Sequence, residues 1–277
     1  MIQMEKANFP LAFLCRQLGV SRSGFYAWQN RPMSARVKED QALLEQIRKV
    51  FAEHKGRYGS LRIAAELHKK GKQVGRNRVA RLMREEALVA KRRKRRVKTT
   101  DSNHRQPVAE NLLGRDFTTT APNQKWLTDM SYVATLTGWL YLVVILDLFS
   151  RRVVGWAMGH HKGSELACSA LQMAVSNREP ADGVLHHSDR GSEFASDAYQ
   201  QELKRNQMIC SMSRKGNCWD NAPMESFFGT LKSELPELTT PQSSTTTQAL
   251  LFEYMEGYYN RRRSHSALLL LRQYVLP

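Results

Sequence analysis

The chain has 277 residues, 42% of them hydrophobic, with 42 Lys+Arg against 26 Asp+Glu and a formal net charge of +16. The length favours about two domains, and the apolar content suffices for a buried core, which excludes wholesale disorder. The charge is uneven: residues 1–100 hold 25 basic and 8 acidic side chains, net +17, whereas residues 101–277 hold 17 and 18, net −1. The apolar run Trp139–Leu146 ends at Asp147, far short of the roughly 18 residues of a membrane helix. The opening MIQMEKANFP has neither the basic nor the apolar region of a secretory signal, so a cytoplasmic protein is expected. Cys15, Cys168, Cys210 and Cys218 form no CxxC pair and read as reduced thiols, not a disulfide framework or zinc site.

Residues 10–29 place Leu11, Leu14 and Leu18 at helical spacing, then Gly19, then Ser21 as N-cap of a short helix with Phe25, Tyr26 and Trp28. This outlines a helix-turn-helix segment within residues 1–35. A second outline, within 36–98, begins with a helix over 41–54 (Leu43, Leu44, Ile47, Val50, Phe51). A helix over 60–70 follows, with Ser60 as cap and Leu61, Ala64, Ala65 and Leu67 as its buried stripe. After the break at Gly71–Gly75, a helix over 76–86 turns Val79, Leu82 and Met83 inward and leaves Arg76, Arg78, Arg81 and Arg84 largely on the opposite side.

A helix with an arginine face enters a major groove or lies along phosphates. The run KRRKRRVK at 91–98 adds Lys91, Arg92, Arg93, Lys94, Arg95 and Arg96, so DNA is the expected partner of the basic region. Such contacts carry no base information, but each neutralised phosphate steepens the salt dependence of binding by a slope of ~0.9. Residues 99–124, rich in Thr, Asn and Pro, read as a linker.

From 125 to 277 the periodicity changes. WLTDMSYVAT, TGWLYLVVILDLFS and RRVVGWAMG read as three successive strands, an antiparallel meander whose middle member is covered on both faces. A helix over 164–178 capped by Ser164, a strand at 184–188, a helix near 195–206, a strand at 208–213 and a helix from 221 complete the order βββ-α-β-α-β-α. This predicts an α/β fold, a mixed five-strand sheet with helices on both faces, which is the ribonuclease H order.

Three carboxylates stand out on that map. Asp129 lies within the first strand, Asp189 ends the fourth in HHSDRGSEF, and Glu225 lies early in the last helix in CWDNAPMESFFGTLK, where Pro223 fits the first turn and Asn221 or Asp220 is a natural cap. Lys232 shares a helix face with Glu225. Each acid alone reads equally as a cap, a turn or a surface charge. Together, from two strands and a helix, they supply the few hard oxygen ligands that two Mg²⁺ (or Mn²⁺) ions need, and a two-metal site suits phosphodiester transfer.

The spacing Asp129, Asp189, Glu225, with 59 and 35 residues between, resembles the D,D(35)E signature of retroviral integrases and bacterial transposases. WLTDMSYV, LDLFSRRVVGW, HSDRGSEF, CWDNAPMESFFGTLK and YYNRRRSHSAL are similar to the integrase core of the two-reading-frame, insertion-sequence-three family. LGVSRSGFYAW, GRYGSLRI and VARLMREEALVA resemble the helix-turn-helix regions of that family's second frame, OrfB. The resemblance spans about residues 10–268 and does not extend to the zinc domain of retroviral integrases, since only Cys15 precedes residue 168.

This likeness implies a transposase catalytic subunit with Asp129, Asp189 and Glu225 as catalytic and metal-binding triad and Lys232 as a phosphate contact. It further implies 3′-end cleavage followed by strand transfer, acting on element ends and target DNA. An OrfA or OrfA-OrfB fusion product, a homo-oligomeric synaptic complex and a place at the bacterial nucleoid follow from the same likeness. Two other functions share parts of the pattern: a ribonuclease H-like nuclease, for which Asp147 would be a fourth carboxylate, and a DNA-binding repressor with a dead core.

Overall fold

A computed structural model describes residues 2–91, 106–265 and 268, which divide into two compact units, Met1–Val89 and Ala90–Pro277. Arg92–Arg96 of the basic run lie outside the described residues.

The first unit is all helical: α1 (Ile2–Glu5), α2 (Leu11–Gln17), α3 (Arg22–Gln29), α4 (Ala35–Glu53), α5 (Ser60–Lys69) and α6 (Arg76–Glu85). Between α2 and α3 the chain turns at Gly19, at φ +64°, a conformation that glycine adopts without a Cβ clash. Ser21 then caps α3, its Oγ accepting from Gly24 N at 2.9 Å. Ser34 likewise caps α4, which starts well before the expected residue 41. Ile47 and Val50 of α4, Ile63, Ala64 and Leu67 of α5 and Val79, Leu82 and Met83 of α6 are buried, at about 2 kcal/mol for each large side chain.

Two local expectations are corrected here. Gly59, not Ser60, occupies the N-cap of α5, and Leu61 is exposed while Ile63 and Glu66 turn inward. The buried stripe is therefore Ile63, Ala64, Glu66 and Leu67, and Glu66 is tolerated there by its ion pair with Lys69 at 3.0 Å.

The second unit holds β1 (Lys125–Thr135), β2 (Gly138–Asp147), β3 (Val153–Gly159), α7 (Ser164–Arg178), β4 (Leu185–Ser188), α8 (Ser192–Ala195), α9 (Asp197–Arg205), β5 (Ile209–Met212), α10 (Ala222–Glu234) and α11 (Ser244–Phe252). A 3₁₀ turn, Cys218–Asn221, leads into α10, and a π-helical stretch, Glu253–Tyr259, follows α11. The sheet order is β3-β2-β1-β4-β5, with the first three strands antiparallel and β4 and β5 parallel to β1. This is the predicted mixed five-strand α/β sheet.

One sheet face packs Trp126, Val143, Ile145 and Val154 against Ala167, Ala170, Leu171 and Ala174 of α7 and Tyr199 and Leu203 of α9. Along α10, Met224, Phe227, Phe228 and Leu231 are buried, and Phe227 meets Tyr259 edge-on at 5.0 Å. Contrary to expectation, α7 is preceded by Gly163 as N-cap with no side-chain bond, Ser164 being its first residue. Among the described residues no helix is long and apolar enough to cross a membrane.

Strand lengths position the site. β4 pairs with β1 only along Lys125–Leu127, so from Thr128 onward β1 runs past the end of β4. Asp129 lies just beyond that overlap, and Asp189 follows the last residue of β4, so both carboxylates come to the carboxyl end of the parallel pair, where open α/β sheets place their sites.

Candidate active site

Asp129 continues the apolar stretch Trp126–Thr128, all of it fully buried, and sits opposite Val144 of β2. Its Oδ1 accepts from Met130 N at 2.8 Å. Asp189 is fixed by its turn: Gly191 N donates to its Oδ1 at 2.9 Å, and Ser188 Oγ donates to its main-chain oxygen at 2.9 Å. Both carboxylates line one cavity of about 350 Å³.

The electrostatics of Asp129 show what surrounds it. Desolvation first, then the charge of Asp189, then those of Glu193 and Glu225, push its carboxyl well above the usual carboxylate range, opposed by the Met130 N–H bond. Glu225, half-buried in the first turn of α10, is therefore within electrostatic reach of Asp129, although it is not part of the cavity lining. Among the described residues, no group of three His, Cys, Asp or Glu side chains is drawn tightly enough to be a metal site as placed.

Glu193 is the residue that sequence reasoning missed. It is 5% exposed, lines the cavity with Asp129 and Asp189, and lies 3.4 Å from Lys162 Nζ. Its carboxylate folds over Gly191: a Cβ built there would lie 2.6 Å from Glu193 Oε1. The glycine after Asp189-Arg190 was the available signal, since it marks a close approach; the group approaching it is set by the one-turn helix α8.

Asn221 stands at the N-cap of α10 but its side chain makes no cap bond. Its Nδ2 instead donates to Thr128 O at 3.0 Å. Asp220 is fully buried and also does not cap: it accepts from Arg214 through Nε and Nη2, from Arg115 Nε at 2.8 Å and from Asn111 Nδ2 at 2.9 Å. The Arg214 bonds, first among these, hold its carboxyl far below the usual range. Lys232 Nζ donates to Ser131 Oγ at 2.5 Å and lies 5.6 Å from the Tyr132 ring centroid. Asp147, the last residue of β2, is fully buried and accepts from Asn123 N, Ser150 N and Ser150 Oγ, so its oxygens serve the turn that follows the strand.

The arginines of α6 divide. Arg76 and Arg84 are exposed, whereas Arg78 Nε donates to Asp40 Oδ1 at 2.6 Å and its Nη2 to Glu39 at 3.2 Å. Arg81 bridges Asp40 and Glu85. Lys91 is half-buried.

Comparison with known proteins fits this architecture. The family described as Integrase core domain matches residues 119–218, a second Integrase core domain family matches 206–270, and an HTH-like domain matches 38–96. The 31 kDa protein of insertion element IS600 from Shigella sonnei is 44% identical over 92% of this chain and 94% of its own length. Transposase InsF for insertion sequence IS3A from Escherichia coli strain K12 is 41% identical over 96% of this chain and 93% of its own. Among solved structures, the HTLV-2 integrase catalytic core domain in complex with magnesium covers 56% of this chain and 97% of its own, at 17% identity and a TM-score of 0.43. With near-complete coverage at 41–44% identity and an integrase core over a five-stranded mixed sheet, this chain belongs to the IS3-type family of insertion-sequence transposases.

Proposed function

We propose that this transposase cuts and joins DNA with Asp129, Asp189 and Glu225 as its catalytic carboxylates. The observation that carries this reading is the gathering of acids: Asp129, Asp189 and Glu193 line one cavity, and Glu225 on α10 is near enough for its charge to act on Asp129. Acidic groups gathered in a desolvated setting are stabilised by a cation, and an all-oxygen donor set suits Mg²⁺ or Mn²⁺. Asp129, Asp189 and Glu225 would hold two such ions. When bound, the metal supplies charge compensation for phosphate and activates the attacking oxygen.

The chain's own residues do the rest. The Met130 N–H and the Gly191 N–H each hold one oxygen of Asp129 and of Asp189, which orients the two aspartates before DNA binds. Water attacks the phosphorus at an element end and the 3′ oxygen leaves with its strand; the freed 3′-hydroxyl then attacks a target phosphodiester, one P–O bond forming as another breaks. Lys232, on the helix of Glu225, contacts a phosphate beside the reacting one. Arg76, Arg84 and the basic run from Lys91 to Arg96 bind DNA through its backbone, and Arg78 and Arg81, each paired with carboxylates, contribute less to that contact. The element ends and target are DNA, and OrfA or an OrfA-OrfB fusion joins a homo-oligomeric synaptic complex at the bacterial nucleoid. The domain limits 1–35, 36–98, 99–124 and 125–277 follow the same division of labour.

The test is cleavage and joining of element-end DNA with Mg²⁺ by the full chain. Asp129→Asn, Asp189→Asn and Glu225→Gln are each expected to abolish both steps, by 10³-fold or more on the order of a lost electrostatic catalyst, while DNA binding stays within a few-fold. Cleavage of RNA in hybrids without joining of DNA ends points to the ribonuclease, and DNA-dependent activity that all three variants retain points to the repressor.

A further inference from the structure

Beside Asp129 the β1–β2 hairpin carries three aromatic rings that neither the core nor the carboxylate chemistry uses. Side chains alternate across a strand, and the register sets Tyr132 opposite Tyr141 and Trp139 opposite Ala134, so the three rings share one face. Tyr132 and Trp139 meet edge-on at 5.0 Å, and Tyr132 and Tyr141 lie 6.4 Å apart. All three line the cavity that Asp129 and Asp189 line.

Tyr132 is 38% and Trp139 50% exposed, so large ring faces are left in water next to the reacting position. Scattered exposed rings need no explanation, but a contiguous group on a cavity wall marks a binding surface. Its surroundings identify the occupant. Lys232 stands over the Tyr132 ring and Lys162 is on the same cavity wall, so the rings are flanked by ammonium groups that match a phosphate backbone. Ring faces flanked by cations are the recurring platform for single-stranded nucleic acid, and stacking requires a base outside its duplex, because a paired base presents only its edges.

We propose that Tyr132 and Trp139 form a stacking platform for an unpaired nucleobase of the strand whose phosphate lies at Asp129 and Asp189. This rests on the reading of that cavity as the DNA-cutting site, and it adds that the DNA is frayed there when bound. Aromatic stacking is sequence-tolerant, so the platform selects open DNA over closed DNA and not one base over another.

The test uses the full chain without divalent metal and two probes of one sequence: a fully paired duplex, and a forked duplex with unpaired thymidines and one unpaired 2-aminopurine. Wild type is expected to bind the fork at least fivefold tighter than the duplex and to quench the 2-aminopurine. Trp139→Leu and Tyr132→Leu, which keep an apolar side chain without a ring, should lose the preference, while Trp139→Phe keeps most of it. Equal binding of fork and duplex by wild type overturns the proposal. So does a preference shared by Trp139→Leu and Trp139→Phe, which marks the patch as an apolar docking surface. The cutting reading is scored separately: cleavage that survives Asp129→Asn removes that reading, whereas loss of fork preference in the ring variants alone bears on the platform.

Discussion

Asn221 Nδ2 donates to the carbonyl of Thr128 at 3.0 Å, tying the start of α10, four residues before Glu225, to the residue that precedes Asp129. Asn221 is 5% exposed, and its Oδ1 is buried without a hydrogen-bond partner. This amide, with the Lys232 Nζ to Ser131 Oγ bond further along the same helix, ties the helix that carries one carboxylate to the strand that carries another.

Replacing Asn221 tests that link. Asn221→Ala leaves the Thr128 carbonyl without this donor and is expected to lower stability by about 1–3 kcal/mol, read by denaturant unfolding. Cleavage should fall further than DNA binding, because the change loosens the position of Glu225 and leaves helices α2 to α6 untouched. Asn221→Asp should be worse than Asn221→Ala, since a carboxylate cannot donate to Thr128 and adds a charge to an acidic site. An Asn221→Asp variant as active as Asn221→Ala would count against this positioning role.

The strand order and the places of Asp129, Asp189 and Glu225 were legible because each rests on local pattern: an acid interrupting an apolar strand, an Asp-Arg-Gly turn after a strand, a glutamate opposite Met224, Phe227, Phe228 and Leu231 on one helix. What escaped depends on contacts remote in sequence. Glu193 reads as a surface charge until α8 folds it over Gly191. Arg78 and Arg81 read as one basic face with Arg76 and Arg84 until Asp40 and Glu39, from a different helix, claim two of the four. Asn221 reads as a cap because its type and position suit one, and only the approach of β1 shows what its side chain does.

That division of the α6 arginines has a measurable consequence for DNA binding. Arg76→Ala and Arg84→Ala should each flatten the slope of log K against log[salt] by ~0.9 if their side chains meet phosphates. Arg78→Ala and Arg81→Ala should change the slope less, because each guanidinium already faces carboxylates. Asp40→Asn removes the carboxylate that both share, and it should tighten binding and steepen the slope. Identical slopes for all five variants would sink the distinction.

Gly155 is the tightest glycine in the sheet. A Cβ built on it would lie 2.2 Å from Ala170 O and 2.7 Å from Ala174 Cβ, so α7 crosses β3 at backbone contact. Gly155→Ala is expected to destabilise by about 3 kcal/mol, the upper end for overpacking, since the atom in the way is main chain and has no rotamer to change. For the same reason Ala174→Gly should not rescue it. Full rescue in the double variant would locate the clash at the side chain instead.

His186 links stability to pH. It is 1% exposed in β4, with Nε2 2.7 Å from the Tyr199 hydroxyl, and burial first, then its neighbour His187, lowers its pKa to about 3. The unfolded value is about 6.5, so between the two the unfolded chain binds a proton that the folded chain does not. The contribution is complete above about pH 6.5 and is lost as pH falls toward 3, at up to ~1.4 kcal/mol per pH unit for one proton. His187, lowered by burial to about 4, adds to the same slope. Unfolding free energy measured by denaturant from pH 7 to 5 should therefore fall in wild type and fall less steeply in His186→Gln, whose amide keeps a partner for Tyr199 but does not titrate. Equal slopes would mean that the proton is taken up elsewhere, because glutamine removes the only titration at that position while leaving its hydrogen bond in place.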